Sequence, residues 1–195
     1  ERISARRVGD TPATIDWLLT DSRSLSFPEE TLFFALTTKR NDGARYIPDL
    51  YSRGVRNFVV SKEAYKWVES GQLAMSNSDM LAVNFLVVAN PLKALQKLAE
   101  QHREQFQIPV IGITGSVGKT SAKEMIAAVL SSRFSVLKTD KNLNNQIGVP
   151  MTVSRIAPEH QAAVIEMGIS DFGEMSRLAQ IARPTMAVFT VIGHA

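Results

Sequence analysis

A glycine-rich segment near the middle of the chain limits its fold more than any other feature. The segment reads Gly112-Ile113-Thr114-Gly115-Ser116-Val117-Gly118-Lys119-Thr120. It follows an apolar run that predicts a buried strand and precedes a helical pattern whose predicted apolar side carries Met125, Ile126, Val129 and Leu130. A strand that turns through glycines into a helix is typical of a phosphate-binding P-loop, because the loop amides and the helix N-terminus face the turn.

This P-loop interpretation assigns phosphate contacts to Thr114, Gly115, Ser116, Val117, Gly118, Lys119, Thr120 and Ser121. Lys119 is expected to reach the outer phosphates, and the Thr120 hydroxyl is expected to bind Mg²⁺. The strict P-loop pattern is not met, because Ile113 stands five positions before Gly118, where a glycine is expected. The alternative interpretation is a glycine-rich turn that carries a surface lysine.

Two residues near predicted strand ends are candidate metal ligands. Glu166 ends the apolar run Ala162-Ala163-Val164-Ile165, and His194 follows the run Met186-Ala187-Val188-Phe189. Ligands of open α/β sheets bind at the carboxyl ends of parallel strands, where an acidic side chain could hold Mg²⁺. For Glu166 the alternative is a helix-capping or solvent-facing carboxylate, and for His194 it is an ordinary histidine near a terminus.

Polar segments supply further binding candidates. Asn142 to Pro150 contains Asn144 and Asn145, whose amides could bind a ligand without adding charge; a solvated turn that caps a helix fits equally well. Thr20-Asp21-Ser22-Arg23 offers a hydroxyl and a guanidinium suited to a diphosphate or sugar, although such a segment is often only a turn.

The composition excludes several classes of protein. The 195 residues are 45% hydrophobic and 21% charged, as in an ordinary globular protein. The net charge of +3 is spread evenly, with 14 basic and 13 acidic residues up to Gln107 and 8 and 6 after it, which argues against a nucleic-acid partner. The absence of cysteine fits a reducing compartment. With no apolar run near 20 residues and no signal-peptide core at the start, we expect a cytoplasmic protein without membrane insertion.

The pattern of elements predicts two domains. Up to Gln107, three short apolar runs predict strands, at residues 31–36, 57–60 and 85–88, and Asn90-Pro91 fits the start of a helix. These elements and the turns between them indicate a small α/β domain, residues 1–107. From Ile108 onward, strands alternate with helical patterns, which predicts a mainly parallel sheet with crossover helices over residues 108–195. Pro109 marks the expected hinge.

Taken together, these segments resemble the Mur ligase family. Thr20 to Arg23, followed by Asn41-Asp42-Gly43, Gly54 and Phe58-Val59-Val60, is similar to the family's UDP-recognising first domain. The segment from Gly112 to Thr120 is similar to the family's own P-loop, Gly-x-Thr-Gly-x-x-Gly-Lys-Thr, which accounts for Ile113. Asn142 to Pro150, Glu166-Met167-Gly168, Gly173-Glu174 and Ile192-Gly193-His194-Ala195 then follow in the family's order.

The resemblance implies ATP-dependent ligation of an acid to an amine through an acyl phosphate. Ser121-Ala122-Lys123-Glu124-Met125 is most similar to members that join D-alanyl-D-alanine to UDP-N-acetylmuramoyl tripeptide. It implies ATP and Mg²⁺ as cofactors, with Lys119, Glu166 and His194 in catalysis and Thr120, Glu166 and His194 as metal ligands. Ser22, Arg23, Asn144 and Asn145 would face the UDP-linked substrate.

The resemblance also limits what this chain is expected to do. It places 108–195 in the first part of a longer central domain, so we expect that the chain does not complete ligation by itself. We also expect a monomer. The alternatives are a related ligase that adds another amino acid, a folyl polyglutamate enzyme, which lacks such a first domain, and a non-catalytic nucleotide-binding module.

Overall fold

The computed structural model describes residues 4–38, 41–73 and 82–193. Its contacts divide the chain into two compact units, Glu1–Ala94 and Leu95–Ala195. Within the described residues, none of the helices is long and apolar enough to cross a membrane.

The first unit is built on one five-stranded sheet. Its strands are β1 (Arg6–Val8), β2 (Trp17–Leu19), β3 (Thr31–Phe34), β4 (Asn57–Ser61) and β5 (Asn84–Val88). They lie in the order β1-β5-β4-β3-β2, with β1 antiparallel to β5 and the other neighbours parallel. The runs that predicted β3, β4 and β5 do form strands, whereas β1 and β2 were not predicted.

Aromatic side chains hold the core of the first unit together. Phe58 stacks on Phe85 with ring centroids 5.7 Å apart, and Phe33 meets Phe58 edge-on at 6.3 Å. Such pairs add about 0.5–1.5 kcal/mol to the free energy of burial. The described residues of this unit also form helix α1 (Ile47–Ser52), which follows a 3₁₀ turn at Gly43–Tyr46, and helix α2 (Lys62–Glu69).

Helix α3 (Pro91–Arg103) begins as its sequence predicts. Asn90 Oδ1 accepts a hydrogen bond from the Lys93 amide at 3.0 Å, and Pro91 occupies the first turn, where no amide donor is needed. The buried Ala99 packs in the core of the second unit, and the Arg103 guanidinium donates to the Ala182 carbonyl at 3.0 Å. The division between units therefore falls before the boundary expected at Gln107, while the roles expected of the two domains stay predictions.

The second unit contains a four-stranded parallel sheet with helices on both faces. The strands β6 (Val110–Thr114), β7 (Val136–Lys138), β8 (Ala162–Glu166) and β9 (Met186–Phe189) lie in the order β7-β8-β6-β9. Helices α4 (Lys119–Ser131), α5 (Gly148–Val153) and α6 (Glu174–Ala182) connect them. This order of elements confirms the predicted α/β fold and mainly parallel sheet.

One prediction about helix α4 was wrong in part. Met125 and Val129 are 70% and 72% exposed, although the sequence pattern placed them on the apolar side. Ile126 and Leu130 do pack on the sheet, beside the buried Ala127. The buried face instead begins at Lys123 and follows the helical spacing i, i+3, i+4, i+7 from there. The apolar pattern did not predict this face, because Lys123 is charged.

Candidate phosphate and metal site

The glycine-rich loop joins the end of β6 to the start of α4. Gly115 and Gly118 have φ angles of +138° and +87°, and Gly118 is the N-cap of the helix. A Cβ atom at Gly115 would lie 2.1 Å from the Thr190 hydroxyl oxygen. Glycine is therefore required at this position for its backbone conformation and for the close approach of Thr190.

Lys119 folds back onto its own loop. Its Nζ donates to the Gly115 carbonyl at 2.6 Å and to the Ser116 carbonyl at 3.2 Å. The Ser116 amide, a predicted phosphate donor, donates to the Val191 carbonyl at 2.7 Å. The loop is thus closed by its own lysine and by the segment after β9.

The Glu166 carboxylate lies beside the first turn of α4. The Thr120 hydroxyl donates to its two oxygens at 3.2 and 3.1 Å, and the Asn144 side-chain amide donates to Oε1 at 2.8 Å. The Glu166 backbone amide donates to the buried Thr139 hydroxyl oxygen at 2.9 Å. Since Glu166 is only 1% exposed, these donors hold its carboxylate in one orientation.

A buried lysine faces the same carboxylate. Lys123 Nζ lies 3.7 Å from Glu166 Oε2 and 3.2 Å from Glu124 Oε1, and it donates to the Lys141 carbonyl at 3.3 Å. Glu124 also pairs with Lys138. The hydrogen bonds from Lys138 and then Lys123 hold the pKa of the Glu124 carboxyl below its usual value.

The donor set around Glu166 fits a magnesium ion that is also bound by phosphate. Among the residues that the structure describes, no three His, Cys, Asp or Glu side chains form a group able to hold a metal by themselves. Mg²⁺ commonly takes one or two protein oxygens and completes its shell with water and substrate phosphates. The Thr120 hydroxyl and the Glu166 carboxylate, side by side next to the loop, supply two such oxygens. His194, the third predicted metal ligand, lies outside the described residues.

The structure gives the two asparagines different contacts. The Asn144 side chain donates to Glu166, and the Asn144 backbone carbonyl accepts a hydrogen bond from the Gly168 amide at 2.7 Å. Asn145 Oδ1 instead accepts from the amides of Ile147 and Gly148 at the start of α5. The capping role is thus present at Asn145, and its predicted contact with substrate stays a prediction.

In the first unit, the predicted diphosphate-binding residues form a small exposed turn. Asp21 accepts from the Arg23 amide at 3.0 Å and pairs with the Arg23 guanidinium at 2.6 Å. This pairing holds the pKa of the Asp21 carboxyl below its ordinary value and raises that of Arg23. The Ser22 carbonyl accepts from Arg53 at 2.9 Å, so the turn is fixed to the rest of its unit.

A separate cleft in the second unit lies where β6 and β9 begin, at the opposite ends of these strands from the loop. Its lining includes Arg103, Pro109, Arg183 and Met186. Arg103 donates to the carbonyls of Phe106, Ile108 and Ala182, and its burial lowers its pKa. The Arg103 guanidinium therefore stabilises the surrounding backbone.

Comparison with known proteins identifies the family of this chain. Residues 113–195 match the family model described as Mur ligase middle domain. The UDP-N-acetylmuramoyl-tripeptide–D-alanyl-D-alanine ligase of Synechocystis sp. is 39% identical over 181 residues, which cover 93% of this chain and 37% of the relative. The enzyme of the same name from Escherichia coli is 36% identical over 175 residues, or 90% of this chain and 35% of the relative. The chain belongs to the Mur ligase family.

Solved structures from the family share its fold. A crystal structure of MurF from Acinetobacter baumannii aligns with a TM-score of 0.80 at 34% identity and covers 95% of this chain and 38% of that one. MurF from Thermotoga maritima, crystallised in complex with ADP, aligns with a TM-score of 0.73 at 28% identity, over 91% of this chain and 38% of that one. The chain thus spans a little over a third of the length of these family members.

Sequence reasoning missed two residues of the site. Lys123 stands within an amphipathic helix, where a lysine normally faces water, and only its burial shows that it belongs to the carboxylate cluster. Thr139, just after β7, is buried and orients the Glu166 backbone. The spacing of four residues places Lys119 and Lys123 on one side of α4, but it does not indicate that Lys123 is buried.

Proposed function

We propose that these 195 residues provide the phosphate-binding and UDP-substrate-binding parts of an ATP-dependent ligase that joins D-alanyl-D-alanine to UDP-N-acetylmuramoyl tripeptide. The observation that carries the proposal is the placement of Thr120 and Glu166 in direct contact beside the glycine-rich loop. The names of the Synechocystis and Escherichia coli relatives support this choice of substrates over those of a related ligase.

The proposed reaction has two steps. The terminal carboxylate of the tripeptide attacks the γ-phosphorus of ATP, which forms an acyl phosphate and releases ADP. The amine of D-alanyl-D-alanine then attacks the acyl carbon, and phosphate leaves as the amide bond forms. Phosphoryl transfer depends mostly on positioning and on neutralising charge, so no protein nucleophile is needed.

Each residue of the site has a defined part in this proposal. Lys119 leaves its loop carbonyls and binds the outer phosphates, while amides of the loop and of the first turn of α4 bind phosphate oxygens. Thr120 and Glu166 would hold Mg²⁺, which would offset the charge of the phosphate oxygens. Asn144, which is predicted to face the UDP-linked substrate, orients the Glu166 carboxylate through its hydrogen bond.

The first unit is proposed to bind the uridine diphosphate part of the substrate. Arg23 supports this, because its side chain is 87% exposed and fixed next to Ser22 by the Asp21 pairing. A diphosphate would bind the Arg23 guanidinium together with Asp21, or would replace Asp21 as its partner. Since both proposed substrates, ATP and a UDP-linked peptide, are intracellular metabolites, we also place the protein in the cytoplasm.

A non-catalytic nucleotide-binding module is the second candidate. A glycine-rich loop and Lys119 would be enough for such a module. The buried Glu166, which is held by three side-chain partners, favours the ligase because a module without chemistry has no need of an oriented metal ligand.

The proposal is tested by titrating the chain with ADP in a calorimeter, with excess Mg²⁺ and again with EDTA. We expect binding that is at least tenfold tighter with Mg²⁺, a difference of about 1.4 kcal/mol. Binding of equal strength in both buffers would support the module without metal chemistry. No binding in either buffer would contradict both candidates.

A further inference from the structure

The proposed mechanism leaves the buried cation at the metal ligand without a role. Lys123 is 1% exposed, and its ammonium is 3.7 Å from a Glu166 oxygen. Burying a charged lysine is costly, and proteins rarely do so without a paired charge. Nothing in the two-step reaction calls for a buried cation next to the carboxylate that is proposed to bind the metal.

Lys123 belongs to a series of ion pairs that ends at the proposed metal site. Lys138 pairs with Glu124, Glu124 with Lys123, and Lys123 with Glu166. The positive charges of the two lysines balance the negative charges of the two glutamates, so the series has no net charge. Free Mg²⁺ therefore meets a carboxylate whose charge is already offset, and only the phosphates of a nucleotide add the negative charge that attracts the ion.

We propose that Lys123 is a positioning residue that acts as the permanent counter-ion of Glu166, so that the metal ion binds together with nucleotide phosphate and not alone. The proposal rests on the proposed function, because it takes Glu166 as the metal ligand. Lys123 lies next to Oε2 of the carboxylate, Asn144 donates to Oε1, and Thr120 donates to both oxygens. The carboxylate is thereby oriented before any ligand arrives and is prevented from trapping a free divalent ion.

The test measures the binding of Mn²⁺, an oxygen-binding substitute for Mg²⁺, to the nucleotide-free chain by the electron paramagnetic resonance signal of the free ion. The wild-type chain should bind Mn²⁺ weakly until ADP is added. Lys123→Met should bind Mn²⁺ without nucleotide at least about tenfold more tightly than the wild type, because the competing cation is gone. Lys138→Met is the matched control: it removes a lysine that contacts Glu124 and not Glu166, and it should stay within about twofold of the wild type.

The double variant Lys123→Met/Glu166→Gln separates this role from simple packing. Removing one member of a buried pair leaves an uncompensated charge, whereas removing both does not. The double variant should therefore fold and lose the gain in Mn²⁺ affinity. If Lys123→Met unfolds while the double variant folds, the instability comes from the unpaired Glu166, and the counter-ion role is supported.

Two results would overturn the proposal: unchanged Mn²⁺ affinity in a folded Lys123→Met chain, or unfolding of the single and double variants alike, which would make Lys123 a packing residue. Failure of the proposed function gives a different result. In that case the wild type does not bind ADP with Mg²⁺, whatever Lys123→Met does to Mn²⁺ binding in the absence of nucleotide.

Discussion

The hydroxyl of Thr120 donates to both oxygens of the Glu166 carboxylate, at 3.2 and 3.1 Å. One residue belongs to the first turn of α4 and the other is the last residue of β8, 46 positions later in the chain. The parallel strands β6 and β8 are neighbours, so their carboxyl ends bring the loop and the carboxylate together. This contact joins the phosphate side and the metal side of the proposed site.

Lys119→Ala should weaken ADP binding in the presence of Mg²⁺ by about 2–5 kcal/mol, the cost of losing a desolvated charged contact. Calorimetric titration of the 195-residue chain measures the change. Lys97→Ala is a suitable control, because Lys97 lies on α3 with a half-exposed side chain paired with Glu100. Equal affinity in Lys119→Ala and the wild type would remove Lys119 from the site.

Thr120→Val should reduce the part of ADP affinity that depends on Mg²⁺ and leave binding in EDTA nearly unchanged. Valine keeps the shape of threonine but lacks the hydroxyl proposed as a metal ligand, and a lost hydrogen bond to a charged group costs about 1.5–3 kcal/mol. Ser132→Ala, just beyond the other end of α4, removes a hydroxyl that only donates to Val129 and serves as the control. A loss of equal size in both buffers would mean that Thr120 contacts phosphate without metal.

Gly115→Ala should destabilise the second unit. Its φ of +138° lies where residues other than glycine are rarely found, which costs alanine about 1–3 kcal/mol, and the clash with Thr190 adds about 1–3 kcal/mol of overpacking. Gly173→Ala is the matched control, because its φ is +83° but no atom lies within 4 Å of an added Cβ. It should show only the conformational cost.

The two units can be followed separately in these glycine variants. Both tryptophans, Trp17 and Trp67, lie in the first unit, so tryptophan fluorescence reports on that unit during urea unfolding. The circular dichroism of helices reports on both units. Gly115→Ala should shift the dichroism transition more than the fluorescence transition. A larger shift of the fluorescence transition would contradict a destabilisation that begins in the second unit.

Arg23→Gln should raise the pKa of Asp21 toward its ordinary value, because the Arg23 side-chain hydrogen bond is the largest cause of its lowering. A lowered folded-state pKa stabilises the protein above the ordinary carboxyl pKa, and this contribution is lost as pH falls through the lowered value. The contribution is small because both side chains are exposed. Carbon NMR titration of the carboxyl group measures the shift, with Arg155→Gln, which removes the partner of Asp140 in the second unit, as control.

UDP-N-acetylmuramic acid derivatives should perturb the NMR signals of Ser22 and Arg23 and leave those of α2 nearly unchanged. The reason is the exposed guanidinium at this turn, which suits a diphosphate. Proton–nitrogen correlation spectra recorded during the titration give the map. Perturbations confined to residues after Ile108 would contradict the proposed role of the first unit.

Local sequence patterns predicted the second unit well because its strands are short apolar runs between turns and its loop has a recognisable order of glycines and lysine. They were less successful where the outcome depends on contacts between distant residues. The sequence around β1 and β2 lacks a long apolar run, because these are three-residue strands at the two edges of their sheet. Hydrogen bonding to a neighbouring strand, more than local propensity, defines such edge strands.

The site shows the same division. Glu166 was selected from its place at the end of a strand, and the structure puts it beside Thr120, while its role as a metal ligand stays a prediction. The pairing of Lys123 with Glu166 could not be predicted, since it joins a helix and a strand and contradicts the rule that lysines face water. Met125 was misplaced for the complementary reason, because an apolar residue on an amphipathic helix was expected to be buried.

The contacts of Lys119 with its own loop make nucleotide binding an exchange of hydrogen-bond partners. Its ammonium already donates to the carbonyls of Gly115 and Ser116. A phosphate group that binds Lys119 therefore replaces these two carbonyls as the acceptor. Such an exchange leaves the number of hydrogen bonds nearly constant, and the heat that this lysine contributes to binding should be small compared with its effect on affinity. The freed carbonyls must then turn to water or to other donors, so the loop is expected to change conformation each time a nucleotide enters or leaves.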